Sequence, residues 1–412
     1  MRMPALFIAA ATALALTAPA HAKTIDVAAG DGAQARLQEA LIVAEPGDVV
    51  QLGAGRFVLT DGLSLDVNGV TVRGAGMQST VLDFTGQQGA GEGLLVTSDD
   101  VTLRDFAVEN TKGDGIKSKG ADNIVYYRVR VTWTGGPKET NGAYGIYPVS
   151  STGVLVDGCE VSGASDAGIY VGQSKAITVR YNFVEQNVAG IEIENSRDAF
   201  VNDNFVTRNT GGILVFDLPN LPVMGGGNVI ITRNIVFGND TPNFAPKGNI
   251  VATVPRGTGI MVMANDSVSI AKNHLDANPT AHIMVVSYPM PFKDARYIPT
   301  PRNVLILSNE FGLGGYDPAF DGGAELLAGL ESRSLPNVLW DGLGQPPRAS
   351  DGSNSYALSL NLPSQGSGLG QARPKVLLLP KDVPPPPVPV SQASKAPPYP
   401  GAPHELEARI TR

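Results

Sequence analysis

One cysteine, Cys159, stands in 412 residues. A single thiol excludes an internal disulfide, a cysteine-based zinc site and a C-x-x-C-H haem attachment. Histidine is almost as scarce, with four in the chain, so a histidine-rich metal centre is excluded as well. Neither a metal nor a cofactor is expected. Positive charge is in deficit: 31 Lys and Arg against 39 Asp and Glu leave a formal net charge of −8. That balance argues against nucleic-acid or anionic-membrane binding. Long apolar runs are missing beyond the first residues. There, Met1-Arg2-Met3-Pro4 leads through an apolar stretch from Ala5 to Leu16 into Ala20-His21-Ala22. A basic start, a short apolar run and a small-x-small end read as a cleavable signal peptide over 1–22. The run is shorter than the ~20 residues a spanning helix needs, so no membrane span is expected after cleavage at Lys23. A periplasmic or secreted location follows as the expectation.

What the chain has in plenty is glycine, 48 residues of it, and a repeat. Gly115-Ile116, Gly145-Ile146, Gly168-Ile169, Gly190-Ile191, Gly212-Ile213 and Gly259-Ile260 recur, with three consecutive spacings of 23, 22 and 22 residues. A second, alternating stretch follows in each repeat, as in Ile177-Thr178-Val179 and Val229-Ile230-Ile231. Short alternating runs punctuated by Gly, Asn and Asp are strand chemistry. A third register sits five residues after the start of that stretch: Asn182, Asn204, Asn234, Asn273 and Asn309. Stacked amides can hydrogen-bond along such a column. Cys159 falls in the same register and reads as a small buried residue.

A repeat that cannot bury its own inner face must stack on its neighbours. The expected fold is therefore all-β, a right-handed parallel β-helix of about ten rungs spaced ~4.8 Å apart. Asp31 to Leu41 reads as a short amphipathic helix capping the open N-terminal end. Loops are expected from Asp217 to Gly227 and from Asn239 to Thr258, and a terminal helix over Ala324 to Leu330. Regular repeats fade after about Phe311, with Asn337 to Trp340 as a last strand. The expected organisation is a β-helix domain over 23–345, then a Ser-, Gly- and Pro-rich, largely disordered tail over 346–412 containing Pro384 to Pro387.

Together with Gly47-Asp48-Val49-Val50-Gln51-Leu52 and Gly69 to Gly76, the repeats over about 24–312 resemble the pectate-lyase-like superfamily. More narrowly they resemble periplasmic copper-maturation β-helix proteins and mannuronan C5-epimerases. The epimerase motif is Tyr-Gly-x-Asp-Pro-His. Tyr144, Gly145 and Pro148 match it, but Tyr147 stands where the family has Asp and Val149 where it has His. The family's next aspartate falls at Gly172. The resemblance implies a polysaccharide lyase, epimerase or glycoside hydrolase if the chain is an enzyme. The missing groups imply no epimerase activity.

On the Gly-Ile strand the isoleucine points inward, so its neighbours point out. One outward column is Lys117, Tyr147, Tyr170, Glu192, Leu214, Met261, and the next is Lys119, Val149, Gly172, Glu194, Phe216, Met263. Tyrosines stack on sugar rings and lysines pair with carboxylates. Lys117, Lys119, Tyr144, Tyr147, Tyr170 and Glu192 are therefore the candidate substrate-binding residues. Tyr144, Asp114 and Asp166 are the candidate acid–base groups. Arg128 and Arg130, near Lys112 and Lys138, make the same region locally basic. The strip from Leu214 to Met263, with Met284, is apolar and calls for cover by the loops or the tail. Two functions fit. One is binding or processing of an acidic polysaccharide; the other is a non-catalytic scaffold docking a periplasmic protein partner for redox or metal maturation.

Overall fold

The computed structural model describes residues 22–89, 91–330, 332–349, 356–368, 371–381 and 401–411. All but the last residue of the expected signal peptide, and the Pro384–Pro387 run, lie outside the described residues.

Each turn of the chain lays down parallel strands that pair with the turn before and the turn after. The Gly-Ile strands form one twelve-stranded sheet. Its isoleucines stack in register from Ile116 through Ile146, Ile169, Ile191, Ile213 and Ile260 to Ile283, all fully buried. The alternating stretches and the short strands after the Asn turn form two further ladders. These two are joined into one sheet by the long strands Thr102–Glu109 and Ile124–Thr132, which run through both. Apolar residues from all three ladders meet in one continuous dry core.

The asparagine register is a hydrogen-bonded ladder. Each Nδ2 donates to the Oδ1 of the next asparagine, at 2.8 Å from Asn182 to Asn204 and 2.9 Å from Asn204 to Asn234, Asn234 to Asn273 and Asn273 to Asn309. Cys159 heads the column, its backbone N–H donating to Asn182 Oδ1 at 2.8 Å. It is buried, and burial pushes its thiol up to about 12. A second ladder, Asn187, Asn209, Asn239 and Asn278, repeats the pattern at the next turn.

The N-terminal cap forms as a helix over Ala33–Val43, with Leu37 and Leu41 buried on the end of the core. At the other end the rod runs further than the repeats indicate. Val338–Trp340 pairs with Ile283–Val285, and Tyr356–Ser359 adds another parallel strand. Lys375–Leu378 then closes that sheet antiparallel. Residues 401–411 return to the middle of the rod, where Leu406 packs on Val125 and Leu155. The expectation of a largely disordered tail from 346 onward is thus corrected for these stretches. Ala357, Leu358 and Leu406 are apolar groups that the rod can bury.

Candidate functional site

The outward face of the Gly-Ile sheet divides in two along the rod. Leu214, Phe216, Met261, Met263 and Met284 are all buried, as their apolar character requires. Their cover is intramolecular: Leu218 and Met224 from the first loop, Phe244, Val251 and Val254 from the second, and Tyr297 from a third loop after Val286. Tyr297 is pinned by its hydroxyl, which donates to Asp217 O at 2.6 Å.

Toward the N-terminal half the same columns carry polar groups, and parallel register gathers them. Tyr144, Tyr147 and Tyr170 form a ring cluster with centroids 4.4 to 5.0 Å apart. Lys117 Nζ lies 4.9 Å from the centre of the Tyr147 ring, a cation–π contact. It also sits 2.9 Å from Glu92 Oε1 and 3.5 Å from Asp114 Oδ2. Burial pulls the Lys117 ammonium down, but these two carboxylates outweigh it and the net shift is upward. Lys117 therefore stays charged. Lys119, one pleat on, is exposed.

Beneath the tyrosines lies a set of carboxyl groups. Tyr170 donates its hydroxyl to Glu194 Oε1 at 2.6 Å, and Asn249 from the second loop donates to Asp166 Oδ2 at 3.1 Å. Burial, reinforced for Asp166 by the Glu194 charge, pushes both carboxyls up to about 7. Glu192 is 1% exposed and neither of its oxygens accepts a hydrogen bond. Burial and its charged neighbours hold it well above the usual carboxylate range, so it is kept as a neutral acid. Asp114 is raised too, by burial first, and accepts from the Tyr144 N–H at 3.3 Å. Tyr144 is raised well above an ordinary phenol by burial and surrounding carboxylates. Its phenol therefore stays protonated.

The structure brings together Lys117, Tyr144, Tyr147, Tyr170, Asp114, Asp166 and Glu192, and corrects how they are presented. Tyr170 and Glu192, expected on an open face, are 5% and 1% exposed. Gly172 supplies one physical reason. A Cβ there would lie 2.4 Å from the Tyr170 ring, so the glycine lets the ring fold back toward Glu194 on the next rung. Where the epimerase pattern would place an aspartate, this chain places a tyrosine ring. The other reason is the second loop, whose Asn249 reaches across to Asp166. Arg128 and Arg130 do not join this face. They lie on the neighbouring sheet, paired with Asp105 and Glu109. Glu194, Glu92 and Asn249 belong to the cluster but were not among the sequence candidates. Only Glu194 carried a signal, its place two residues from Glu192. Among the described residues no group of three or more His, Cys, Asp or Glu is arranged to hold a metal.

The family described as right handed beta helix region matches residues 68–223. No curated protein matches the chain. Among solved structures, the A-module of mannuronan C-5 epimerase AlgE4 from Azotobacter vinelandii aligns with a TM-score of 0.51 at 16% identity, over 78% of this chain and 91% of that one. An alginate lyase from Paenibacillus sp. str. FPU-7 aligns at 0.47 and 16% identity, over 71% and 97%. A DFA-IIIase from Arthrobacter chlorophenolicus A6 aligns at 0.49 and 13% identity, over 80% and 95%. With its strands stacked in register over the length of the rod, the chain is a right-handed parallel β-helix.

Proposed function

We propose that this protein acts outside the cytoplasm and binds an acidic polysaccharide along the outer face of the rungs carrying Lys117, Lys119, Tyr144 and Tyr147. The observation behind this reading is the three-tyrosine cluster beside Lys117. Aromatic faces hold sugar rings, and in-register rungs repeat such contacts along a polymer. The epimerase with the similar fold is named for mannuronan, an acidic polymer, which is the class carried over here. Binding is favoured over turnover. Asp166 and Glu194 have the protonation range of an acid–base pair, but both are buried, and Asn249 of the second loop reaches Asp166. Tyr147, Val149 and Gly172 replace the epimerase groups. A docked protein partner loses its main support, because the apolar strip that would receive it is covered by the chain itself.

A panel of neutral and acidic oligosaccharides, read for both binding and products, tests the reading. Tyr147→Ala is expected to weaken both classes by about tenfold, the scale of a lost aromatic contact. Lys117→Ala combined with Lys119→Ala is expected to weaken the acidic class alone, and proton NMR is expected to show no C5 inversion. Unchanged binding in both variants sinks the proposal.

A further inference from the structure

The neighbouring sheet carries a second feature that the tyrosine face does not explain. Gln51, Arg73 and Arg104 occupy successive rungs of one outward column, in register. Gln51 holds Arg73 from both sides: its Oε1 accepts from Arg73 Nε at 2.7 Å, and its Nε2 donates to the Arg73 carbonyl at 3.0 Å. No carboxylate among the described residues pairs with Arg73. Two adjoining cavities, of about 390 and 540 Å³, both have Arg73 and Arg104 in their walls. Arg409 of the C-terminal segment lines the first and Arg128 the second. Four guanidinium groups thus line the pair of cavities, with Asp100 and Asp105 as the carboxylates in the same lining. Asp100 is taken by Arg409 at 2.7 Å, and Asp105 is shared between Arg104 at 2.7 Å and Arg128 at 2.5 Å. On a chain with a net charge of −8, this is a local concentration of arginine.

The shared lining of the two cavities supports a chain-like ligand. The second cavity is also lined by Gly74, Ala75 and Gly76, small residues that permit close approach to the backbone. Gly74 has no alternative, since a Cβ there would lie 2.2 Å from the Asp105 carbonyl oxygen. Each cavity falls within the range of roughly 300–1,000 Å³ usual for small-ligand sites. A pair of cavities joined at two arginines suits consecutive residues of a polymer that carry an anion each.

We propose that this groove is a second glycan subsite, one that reads carboxylate groups of an acidic polysaccharide through Arg73. The guanidinium fork meets a carboxylate with two parallel hydrogen bonds, which a lysine cannot reproduce. The proposal takes its ligand class from the function proposed above, but not its location. Part of the acidic selectivity then resides on the second sheet, away from the tyrosine corner where Lys117 is already engaged by Glu92 and Asp114.

The test uses the full chain and three probes: a tetramer of galacturonate, a neutral cellotetraose, and inorganic sulfate as competitor. Calorimetry reads affinity and hydrogen exchange reads location. Galacturonate is expected to protect residues 71–77 and 100–105, and sulfate is expected to compete for that protection. Arg73→Ala should weaken galacturonate binding about tenfold, the worth of one charge-assisted pair, and leave cellotetraose unaffected. Arg73→Lys should recover only part of the loss. Parent-like binding by Arg73→Ala, or protection confined to 144–147, overturns the groove and leaves the tyrosine face standing. Protection at 71–77 that survives Tyr147→Ala, with none at 144–147, supports the groove and removes the tyrosine face. Absence of galacturonate binding by the parent overturns the groove outright, while cellotetraose binding at 144–147 would still support a sugar site there.

Discussion

Asp166, Glu192 and Glu194 cannot all be ionised in the volume they share, and the protein's response to pH should show it. The groups facing them include Tyr144, Tyr147 and Tyr170 from the same sheet, Asp114 with Lys117, and Asp217 and Asn249 from the loops. Folding raises the carboxyl pKa of Asp166 and Glu194 from the ordinary range to about 7. Between those limits the native state holds protons that the unfolded chain has released, so stability falls as pH rises. Carboxyls that folding lowers, such as Asp83, Asp203 and Asp266, act oppositely, and their contribution is lost only in more acid solution. From about pH 5 to pH 8 the cluster therefore lowers stability as pH rises, opposed by His282, whose burial holds its imidazole below the ordinary value. Thermal melts should show Tm falling across that window, and Asp166→Asn or Glu194→Gln should flatten the fall. A variant slope equal to the parent's would show that the carboxyls ionise freely in the native state. None of this was legible locally. Glu192-Ile193-Glu194 reads as an outward-facing strand, and Asn249, which donates to Asp166 of the same cluster, comes more than fifty residues later.

At the scale of elements, the turn column was the most legible feature, because its five-residue offset recurs whatever the loops between repeats do. Only half of it was read. The same offset taken once more lands on Asn187, Asn209, Asn239 and Asn278, where the second ladder runs. Asn239 stands at the edge of an inserted loop, which hid its register. Each inner asparagine serves several groups at once. Asn234 donates to Val201 O and Asn273 Oδ1, and its own Oδ1 accepts from the N–H and Nδ2 of Asn204. Asn234→Ala would leave those partners buried without replacements, a loss of roughly 2–4 kcal/mol at 1–3 kcal/mol per stranded group with partial relaxation. Urea denaturation should record it as a lower midpoint with little change in slope. A loss within ordinary surface-substitution scatter would mean that water or a shifted backbone takes over the ladder.

At the scale of the whole molecule, a solenoid touches itself only between adjacent rungs, and this one adds a long-range clasp. Residues 401–411 lie across several rungs at once. Gly401 N–H donates to Asp198 O, Glu407 pairs with Arg180 at 2.8 Å, Leu406 packs on Val125 and Leu155, and Arg409 pairs with Asp100 at 2.7 Å. Composition pointed to a tail here because His404–Glu407 is one short helical turn, too brief to show a period. Removing residues 401–412 would expose Val125 and Leu155 and break two ion pairs. The burial of Leu406 contributes about 1.5–3 kcal/mol, and partly exposed pairs contribute no more than about 1 kcal/mol each. Ordering the segment consumes much of that gain. The expected net loss is therefore about 1–3 kcal/mol, read as a lower Tm for the truncated chain. Leu406→Asp in the full chain should reproduce most of the loss, because an unpaired charge cannot enter the Val125–Leu155 contact. Glu407→Ala should reproduce little. If the truncated chain melts like the parent, the segment rests on the rod without holding it. If Glu407→Ala matches the truncation instead, the ion pair rather than the apolar contact is what fastens the clasp.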